Sequence, residues 1–304
     1  MSGEAHCAGF VSITGRPNAG KSTLLNALVG EKVAITAHQP QTTRSAIKGV
    51  VTTPAAQIVF VDTPGIHKSD SLFNKRMMDT VRGALEQVDL VLYVTDAARP
   101  VTEQDEQAIG AVTKAGKVIL VLNKVDLVED KRLLLPLTET YLKIWPFADT
   151  VPVSARKRDG IEELKRVVIS HLPEGPPLFP NDYLTDQPMR FIAAEIIRER
   201  ILFTARQEVP HAVAVLIDQW EEGPKLVKIA ATIHVERPGQ KVILIGAKGQ
   251  TLKKIGSEAR QELERRLERK VFLSLFVKVK PDWREDPSFL HAVDWRSMLG
   301  SEDK

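Results

Sequence analysis

Hydrophobic positions in the first 172 residues follow two alternating patterns. Short runs rich in β-branched residues predict strands, namely FVSIT, IVFVD, LVLYVTD, KVILVLN and TVPVS. The segments between these runs repeat apolar residues near the helical period, as residues 72–88 do. Strands that alternate with helices are typical of a mostly parallel sheet with helices on both faces. The pattern therefore predicts an α/β domain over residues 1–172.

A proline-rich segment follows this first domain. Residues 173–188 contain five prolines, which cannot continue a helix or enter a central strand. We therefore predict an interdomain linker over these residues.

The hydrophobic pattern changes after the linker. It predicts a helix, two extended runs, a long helix and a last strand, at about residues 190–207, 212–220, 225–236, 250–268 and 270–280. Residues 241–246, KVILIG, fit either a strand or a short helix. This order predicts a smaller α+β domain over residues 189–283, followed by a C-terminal tail over residues 284–304. We expect Trp283 and Trp295 to anchor that tail by packing.

Composition narrows the class of protein. A chain of 304 residues has the length of two domains, and a hydrophobic content of 43% is ordinary for a globular protein. Cys7 is the only cysteine, which excludes an intramolecular disulfide and a cysteine-based zinc site. The first residues lack a signal-peptide pattern, and no apolar run is long enough to span a membrane. We therefore expect a cytoplasmic protein.

Positive charge is concentrated in one part of the chain. The whole sequence carries a net charge of +3, whereas residues 237–280 contain twelve Lys and Arg and four Glu, a local net charge of +8. A basic region of this kind indicates a polyanionic partner. The alternative is a solvated helix face, and it is favoured for the end of the long helix, where acidic residues are interleaved with Arg265, Arg266, Arg269 and Lys270.

The segment GRPNAGKS, residues 15–22, matches the phosphate-binding P-loop pattern G-x-x-x-x-G-K-[ST] between a predicted strand and a predicted helix. Glycines let backbone N–H groups turn toward phosphate oxygens, and the following helix adds its N-terminal dipole. We expect Lys21 to reach the β- and γ-phosphates and Ser22 to bind Mg²⁺. The predicted contacts of this loop are Gly15, Arg16, Pro17, Asn18, Ala19, Gly20, Lys21, Ser22 and Thr23.

Two later loops predict which base is bound. The motif NKVD, residues 123–126, follows a strand, and the Asp126 carboxylate can accept hydrogen bonds from N1–H and N2 of guanine, whereas adenine has no donor at N1. We expect Asn123 to brace the loop and Lys124 to lie across the base. Ser154 and Ala155 follow the next strand, where a backbone N–H can meet guanine O6.

Two motifs between these loops predict a switch. DTPG comprises Asp62, Thr63, Pro64 and Gly65; we expect Asp62 to hold Mg²⁺ through water and the Gly65 N–H to sense the γ-phosphate. Within QTTR, residues 41–44, Thr42 or Thr43 should close over the metal, and Thr43 is favoured. The predicted metal ligands are thus Ser22, Thr43 and Asp62.

These motifs, in this order, resemble a translation-factor-type GTPase of the Era-like group over about residues 8–172. The resemblance implies binding of GTP and GDP, Mg²⁺-dependent hydrolysis of GTP, and catalytic roles for Lys21, Thr43, Gly65 and Asn18. Ile66 occupies the position where Ras-type switches have a water-orienting Gln. Some relatives with Asn at the position of Asn18 bind K⁺ beside the phosphates; the alternative is that Asn18 only shapes the loop. His67 is interpreted as a solvated neighbour.

The second domain carries a GxxG motif at the start of its long helix, formed by Gly246, Ala247, Lys248 and Gly249. Two glycines allow a nucleic-acid backbone to approach, and Lys248, Lys253 and Lys254 can meet its phosphates. We expect a groove for unstacked bases lined by Ile243, Ile245, Leu252 and Ile255. The predicted element order resembles a type II KH domain, and that resemblance implies a short helix for KVILIG.

A P-loop GTPase domain followed by one KH domain implies further properties through this resemblance. They are binding to the 3′ region of small-subunit (16S) rRNA, a role in rRNA processing and 30S subunit assembly, a monomeric state, and peripheral association with the membrane. An alternative is a GTP-controlled adaptor whose basic region contacts anionic lipid at the membrane surface. A small-molecule P-loop kinase is disfavoured because no acceptor site accompanies NKVD.

Overall fold

The computed structural model describes residues 6–37, 42–65, 71–86, 88–112, 116–205 and 212–297. The chain forms two compact units whose main boundary lies between Asp186 and Gln187. No helix among these residues is long and apolar enough to cross a membrane.

The first unit is an α/β fold. Its strands are β1 (Cys7–Gly15), β2 (Ile47–Thr52), β3 (Ala56–Asp62), β4 (Leu90–Asp96), β5 (Val118–Asn123) and β6 (Asp149–Pro152). Its helices are α1 (Lys21–Val29), α2 (Leu72–Glu86), α3 (Glu103–Val112), α4 (Leu134–Ile144) and α5 (Ile161–His171). The sheet has the order β2-β3-β1-β4-β5-β6, and every pair is parallel except β2 with β3. The predicted fold class of this unit is confirmed.

Alternate residues of the central strands face two different cores. In β4, Leu90 and Leu92 pack with α1 and α5, whereas Val91 and Tyr93 pack with α3 and α4. Both faces are therefore dry, which explains why the central strands appear as continuous hydrophobic runs. The strand β2 was not predicted from the sequence.

The proline-rich segment lies along the first unit. The Pro173 carbonyl accepts from the Ala8 N–H (3.1 Å), and the Leu184 carbonyl accepts from the Val50 N–H (2.9 Å). The buried Gln57 side chain accepts from the N–H groups of residues 178 and 179 (2.6 and 2.8 Å) and donates to the Phe179 carbonyl (2.9 Å). Residues 173–185 are therefore a strap fixed to the sheet by their backbone.

The second unit is an α+β fold, as predicted. It contains α6 (Met189–Thr204), β7 (Ala214–Glu222), β8 (Leu226–Val235), α7 (Pro238–Ile245), α8 (Gln250–Leu267), β9 (Lys270–Val279) and α9 (Pro287–Ala292). The sheet order is β7-β8-β9, with β8 antiparallel to β7 and parallel to β9. The core lies between one face of this sheet and α6, α7 and α8. Residues 241–245 of the segment KVILIG are helical and end α7, and Gly246 is the C-cap.

Two tryptophans pack as predicted. Trp283 is fully buried, and its indole N–H donates to the Ala212 carbonyl (3.1 Å). Its ring also meets Phe289 of α9 edge to face, with ring centroids 5.6 Å apart. Trp295 is 6% exposed. Both rings therefore act as anchors for the segment after β9, and residues 298–304 lie outside the described part of the chain.

We expect Gln57→Leu to detach the strap. The substitution removes the partners of two N–H groups and one carbonyl, and should lower the free energy of unfolding by about 2–4 kcal/mol. Urea unfolding measures this loss, and hydrogen exchange at the amides of Leu178 and Phe179 should accelerate. Gln107→Leu, at an exposed position of α3, is the matched control. Equal exchange at these two amides in both variants would contradict the role of Gln57.

Candidate nucleotide-binding site

The P-loop connects the carboxyl end of β1 to the first residue of α1. Gly15 and Gly20 have φ values of 139° and 93°, in the region that side chains disfavour. A Cβ at Gly15 would lie 2.2 Å from the Val94 carbonyl oxygen, and one at Gly20 would lie 2.4 Å from the Asn123 Nδ2. Both glycines are therefore required by close packing as well as by backbone conformation.

The Lys21 ammonium is buried in this loop with only carbonyl partners. Its Nζ donates to the carbonyls of Gly15 (3.2 Å) and Arg16 (3.0 Å), and the residue is 7% exposed. Burial lowers the pKa of Lys21 to about 8, and the negative charge of Asp62 opposes that shift. A buried cation held by neutral oxygens is stabilised by an incoming anion, so the loop is prepared for a phosphate group.

Three oxygen-bearing side chains meet beside this lysine. Ser22 Oγ lies 2.5 Å from Thr43 Oγ1 and donates to Asp62 Oδ2 (2.7 Å), and Thr43 Oγ1 donates to the same carboxylate oxygen (3.0 Å). Burial raises the pKa of Asp62, and the charge of Lys21 opposes that shift. The other oxygen, Asp62 Oδ1, is buried without a hydrogen-bond partner among the described residues.

This donor set fits Mg²⁺, which prefers carboxylate, hydroxyl and phosphate oxygens. The unpartnered Asp62 oxygen is the observation that supports the fit, because a buried carboxylate oxygen is costly unless a proton, donor or cation meets it. Within the described residues there is no group of three or more His, Cys, Asp and Glu suited to a metal. Ser22, Thr43 and Asp62 would therefore hold the ion together with oxygens of a bound phosphate.

The loops after β5 and β6 pack against the P-loop. The Asn123 side chain donates to the Ala19 carbonyl (2.8 Å) and accepts from the Ala155 N–H (3.0 Å), so it braces both loops as predicted. Lys124 Nζ donates to the Asn18 carbonyl (2.7 Å).

Asp126 is held in the acceptor form that guanine requires. Ser154 Oγ donates to Asp126 Oδ1 (2.7 Å), and this bond lowers the pKa of the Asp126 carboxyl. The carboxylate is therefore ionised at neutral pH and can accept from two adjacent N–H donors.

The DTPG segment lies directly against the P-loop. Thr63 Oγ1 donates to the Ile13 carbonyl (3.0 Å), and a Cβ at Gly65 would lie 3.0 Å from Pro17. A phosphate in the P-loop is therefore close to the Gly65 backbone. Ile66 and His67, whose roles were considered from the sequence, lie outside the described residues.

Arg16 has a role that sequence reasoning did not find. Its guanidinium donates to Asp105 (2.8 Å), Thr102 (2.9 Å) and Gln104 (2.9 Å) around the start of α3. Asp105 is 1% exposed and accepts from the Thr102 N–H as well. The Arg16 side chain therefore fastens the P-loop to α3, and only its backbone belongs to the phosphate-binding loop. No motif marks this contact, because its partners lie more than eighty residues away.

The GxxG loop of the second unit has the predicted form. Gly246, Lys248 and Gly249 have φ values of 70°, 50° and 77°, and the side chains of Lys248, Lys253 and Lys254 are exposed. The predicted groove lining needs one correction. Ile255 is fully buried among the core residues of this unit, because α8 turns that face toward the sheet, whereas Ile243 is 47% exposed.

The arginines near the end of α8 agree with the interpretation of this basic segment as a solvated helix face. Arg265 pairs with Glu262 on the same helix, and Arg269 pairs with Glu222 of β7 (3.0 Å). These partners neutralise both cations, so this helix end is a solvated ion-paired face.

The first unit carries a P-loop, a DTPG segment and an NKVD loop at one edge of a mainly parallel sheet. An α+β unit with a GxxG loop follows it along the chain. These features define a P-loop GTPase joined to a KH domain. The family model of the 50S ribosome-binding GTPases matches residues 10–124, and the KH domain model matches residues 208–284. The chain is 51% identical to GTPase Era of Geobacter metallireducens, over 97% of this chain and 100% of that protein. The protein belongs to the GTPase Era family.

Solved structures agree with this assignment. The crystal structure of an Era in complex with MgGDPNP and nucleotides 1506–1542 of 16S ribosomal RNA has a TM-score of 0.93 and 41% identity, and covers 95% of this chain and 99% of that one. A point variant of Aquifex aeolicus Era bound to GDP and AlF4⁻ has a TM-score of 0.92 with the same identity and coverage. The predicted combination of a P-loop GTPase fold and a KH fold is thus confirmed.

We expect Gly20→Ala to damage the nucleotide site. The new Cβ strains a positive-φ position and displaces the Asn123 side chain, so nucleotide affinity should fall at least about tenfold and the free energy of unfolding by about 1–3 kcal/mol. Titration with a fluorescent GDP analogue and urea unfolding measure the two effects. Gly83→Ala is the matched control, since a Cβ there meets nothing within 4 Å on α2. Unchanged GDP affinity in Gly20→Ala would contradict the close packing of these loops.

Proposed function

We propose that this GTPase binds the 3′ region of 16S rRNA through its KH domain and acts in rRNA processing and 30S subunit assembly. The observation that carries the proposal is that a phosphate-binding loop with its switch residues and an exposed GxxG loop with three lysines occur in one chain. The Era that was crystallised with MgGDPNP and 16S rRNA nucleotides covers 95% of this chain, which supports the same ligands here.

Nucleotide binding is supported by the side chains of the first unit. Lys21 would meet the phosphates, Asp126 would select guanine from the loop that Asn123 braces, and Ser22, Thr43 and Asp62 would hold Mg²⁺. When bound, the ion would supply positive charge that stabilises the negative charge developing on the phosphate oxygens. Thr43 would close over the metal and the Gly65 N–H would meet the γ-phosphate, so loss of that phosphate would release the segments that carry these two residues.

The nucleotide and the RNA are coupled by thermodynamic linkage. If the GTP-bound form holds RNA more tightly, RNA tightens GTP binding by the same factor. This coupling makes the protein a checkpoint in subunit assembly. We infer a cytoplasmic monomer from its family membership. The comparisons do not support the alternative of a membrane-surface adaptor.

We expect Gly249→Asp to abolish RNA binding while GTP binding is kept. A Cβ at Gly249 meets nothing within 4 Å, and although its φ of 77° strains any side chain, Asp is among the residues that adopt this conformation most readily. The new carboxylate repels phosphates that approach the backbone of the loop. RNA crosslinked to the GTP-loaded protein in cells is sequenced to measure the effect. Gly239→Asp, which adds the same charge at the far end of α7 in open space, is the matched control. Wild-type recovery of 16S 3′ sequences by Gly249→Asp would contradict the proposed RNA site.

We propose in addition that Asn18 binds K⁺ beside the phosphates. Its side chain is exposed, whereas its backbone has a φ of 63°, so the residue also has the conformation of a loop-shaping Asn. The variant Asn18→Gly separates the two roles, because Gly keeps the positive φ and lacks the side-chain oxygen.

We expect GTP hydrolysis by the wild type to be faster in K⁺ than in Na⁺. In Asn18→Gly the ratio of the rate in K⁺ to the rate in Na⁺ should fall to about one, because the side-chain oxygen that would bind K⁺ is missing. GDP affinity should stay within a few-fold of the wild type, since the loop keeps its shape. Single-turnover phosphate release in the two salts provides the measurement. Equal wild-type rates in K⁺ and Na⁺ would exclude the potassium role.

A further inference from the structure

The strand β9 presents two different faces. Its odd-numbered residues belong to or pack against the core of the second unit, with Val271 and Val277 4% and 8% exposed. Its even-numbered positions, and the first residue beyond the strand, carry Lys270, Phe272, Ser274, Phe276, Lys278 and Lys280. Alternating residues of a strand share a face, so these side chains lie on the side of the sheet away from α7 and α8.

Two phenylalanines on this open face are exposed. Phe272 and Phe276 are 59% and 56% exposed, and together they form a pair of exposed aromatic rings on one face of the strand. Their positions four residues apart on one strand place them about 13 Å from each other. Ser274 lies between them and pairs across to Ala230 of β8, so the floor between the rings consists of small side chains.

Positive charge borders the two rings. Lys270 and Lys278 flank them on the same face, and neither makes an ion pair within the described residues. Lys228, opposite Phe272, pairs with Glu221 (3.4 Å), and Asp218 accepts from Thr232 Oγ1 (2.6 Å). Lys280 pairs with Asp286 (2.8 Å) and lies over the Phe289 ring. The hydroxyl of Thr232 leaves the negative charge of Asp218 in place, and Glu264 of α8 is close enough to Lys270 for their charges to interact. The charges on this face without an ion pair in the described part of the chain are thus Lys270, Lys278 and Asp218, a net charge of +1.

We infer that this face binds a single-stranded RNA segment, with bases stacked on Phe272 and Phe276 and phosphates beside Lys270 and Lys278. Exposed rings bordered by cations are the features of surfaces that bind single strands by stacking, because every base has a π-face that a ring can meet. An apolar protein surface matches less well, since the rings are separated by small residues and bordered by lysines. The lysines thus favour a polyanion as the occupant.

This surface differs from the GxxG loop. The GxxG loop precedes α8, which packs on the opposite face of the sheet. One RNA strand therefore contacts both surfaces only when it is long enough to pass around the edge strand β9. The inference rests on the proposed RNA binding and adds a second contact for the same strand.

The test uses the full-length protein and two RNAs, a 5-nucleotide and a 20-nucleotide oligomer that share the 3′-terminal sequence of 16S rRNA. In Phe272→Leu/Phe276→Leu the apolar surface is kept and stacking is lost. We expect affinity for the 20-nucleotide RNA to fall at least about tenfold, with no change for the 5-nucleotide RNA. Phe203→Leu, which alters an exposed ring on α6, is the matched control and should leave both affinities unchanged.

Other outcomes separate the inference from the proposed function. If Gly249→Asp weakens both RNAs and the phenylalanine variant weakens neither, the second surface is wrong and the KH site stands. If the wild type binds neither RNA, both proposals fail. If the double leucine variant keeps affinity for the 20-nucleotide RNA and a double alanine variant at the same positions loses it, the rings contribute apolar contact and the stacking inference is wrong. The same conclusion follows if the alanine variant loses a dimer that the wild type forms. Thermal unfolding midpoints within about 2 °C of the wild type verify the fold of each variant.

Discussion

The central constraint on the nucleotide site is the burial of two opposite charges that share no direct bond. Lys21 is 7% exposed and donates to carbonyls, while Asp62 is fully buried and accepts from two hydroxyls. Removing charges from water costs several kcal/mol per ion unless opposite charges and hydrogen bonds meet them. The sheet, α1 and the P-loop together hold this arrangement, and a phosphate with its metal completes it. The ligand therefore also stabilises the fold, by about 2.7 kcal/mol at a hundredfold excess over its Kd.

The rest of the first unit positions these two groups. Asp62 ends β3, and Lys21 begins the helix α1 that the P-loop joins to the carboxyl end of the neighbouring parallel strand β1. This edge is where ligands bind in such sheets. Asn123 ties the P-loop to the base-binding loops, and Arg16 ties it to α3. These supports matter because the energy of a buried charge depends steeply on its distance from neighbouring charges.

The sequence predicted the features that depend on local patterns of residues. The P-loop, DTPG and NKVD motifs each follow a strand with an unmistakable hydrophobic run, so their place at one edge of the sheet followed from topology. The strand β2 was missed because its hydrophobic run is interrupted by Lys48 and Gly49. The structure explains that glycine, since a Cβ at Gly49 would lie 2.6 Å from Val29 of α1.

Polar contacts between residues far apart along the chain could not be predicted from the sequence. The strap was predicted as a linker because its prolines exclude regular structure, yet its backbone groups are satisfied by a buried side chain, Gln57, more than a hundred residues earlier. Likewise, apolar spacing placed Leu252 and Ile255 on one helix face without showing which of them enters the core. Both cases depend on which surfaces meet in three dimensions.

The P-loop and the GxxG loop share a backbone conformation in different electrostatic settings. Asn18 and Lys248 are non-glycine residues at positive φ, two residues and one residue before the positive-φ glycines Gly20 and Gly249 that precede α1 and α8. Such turns direct successive N–H groups to a common concavity for anions and cost about 1–3 kcal/mol in strain. In the first loop the lysine is buried and acts in a low dielectric, so its attraction to phosphate is strong and specific. In the second loop the lysines are exposed and screened by salt, which suits reversible contact with an RNA backbone.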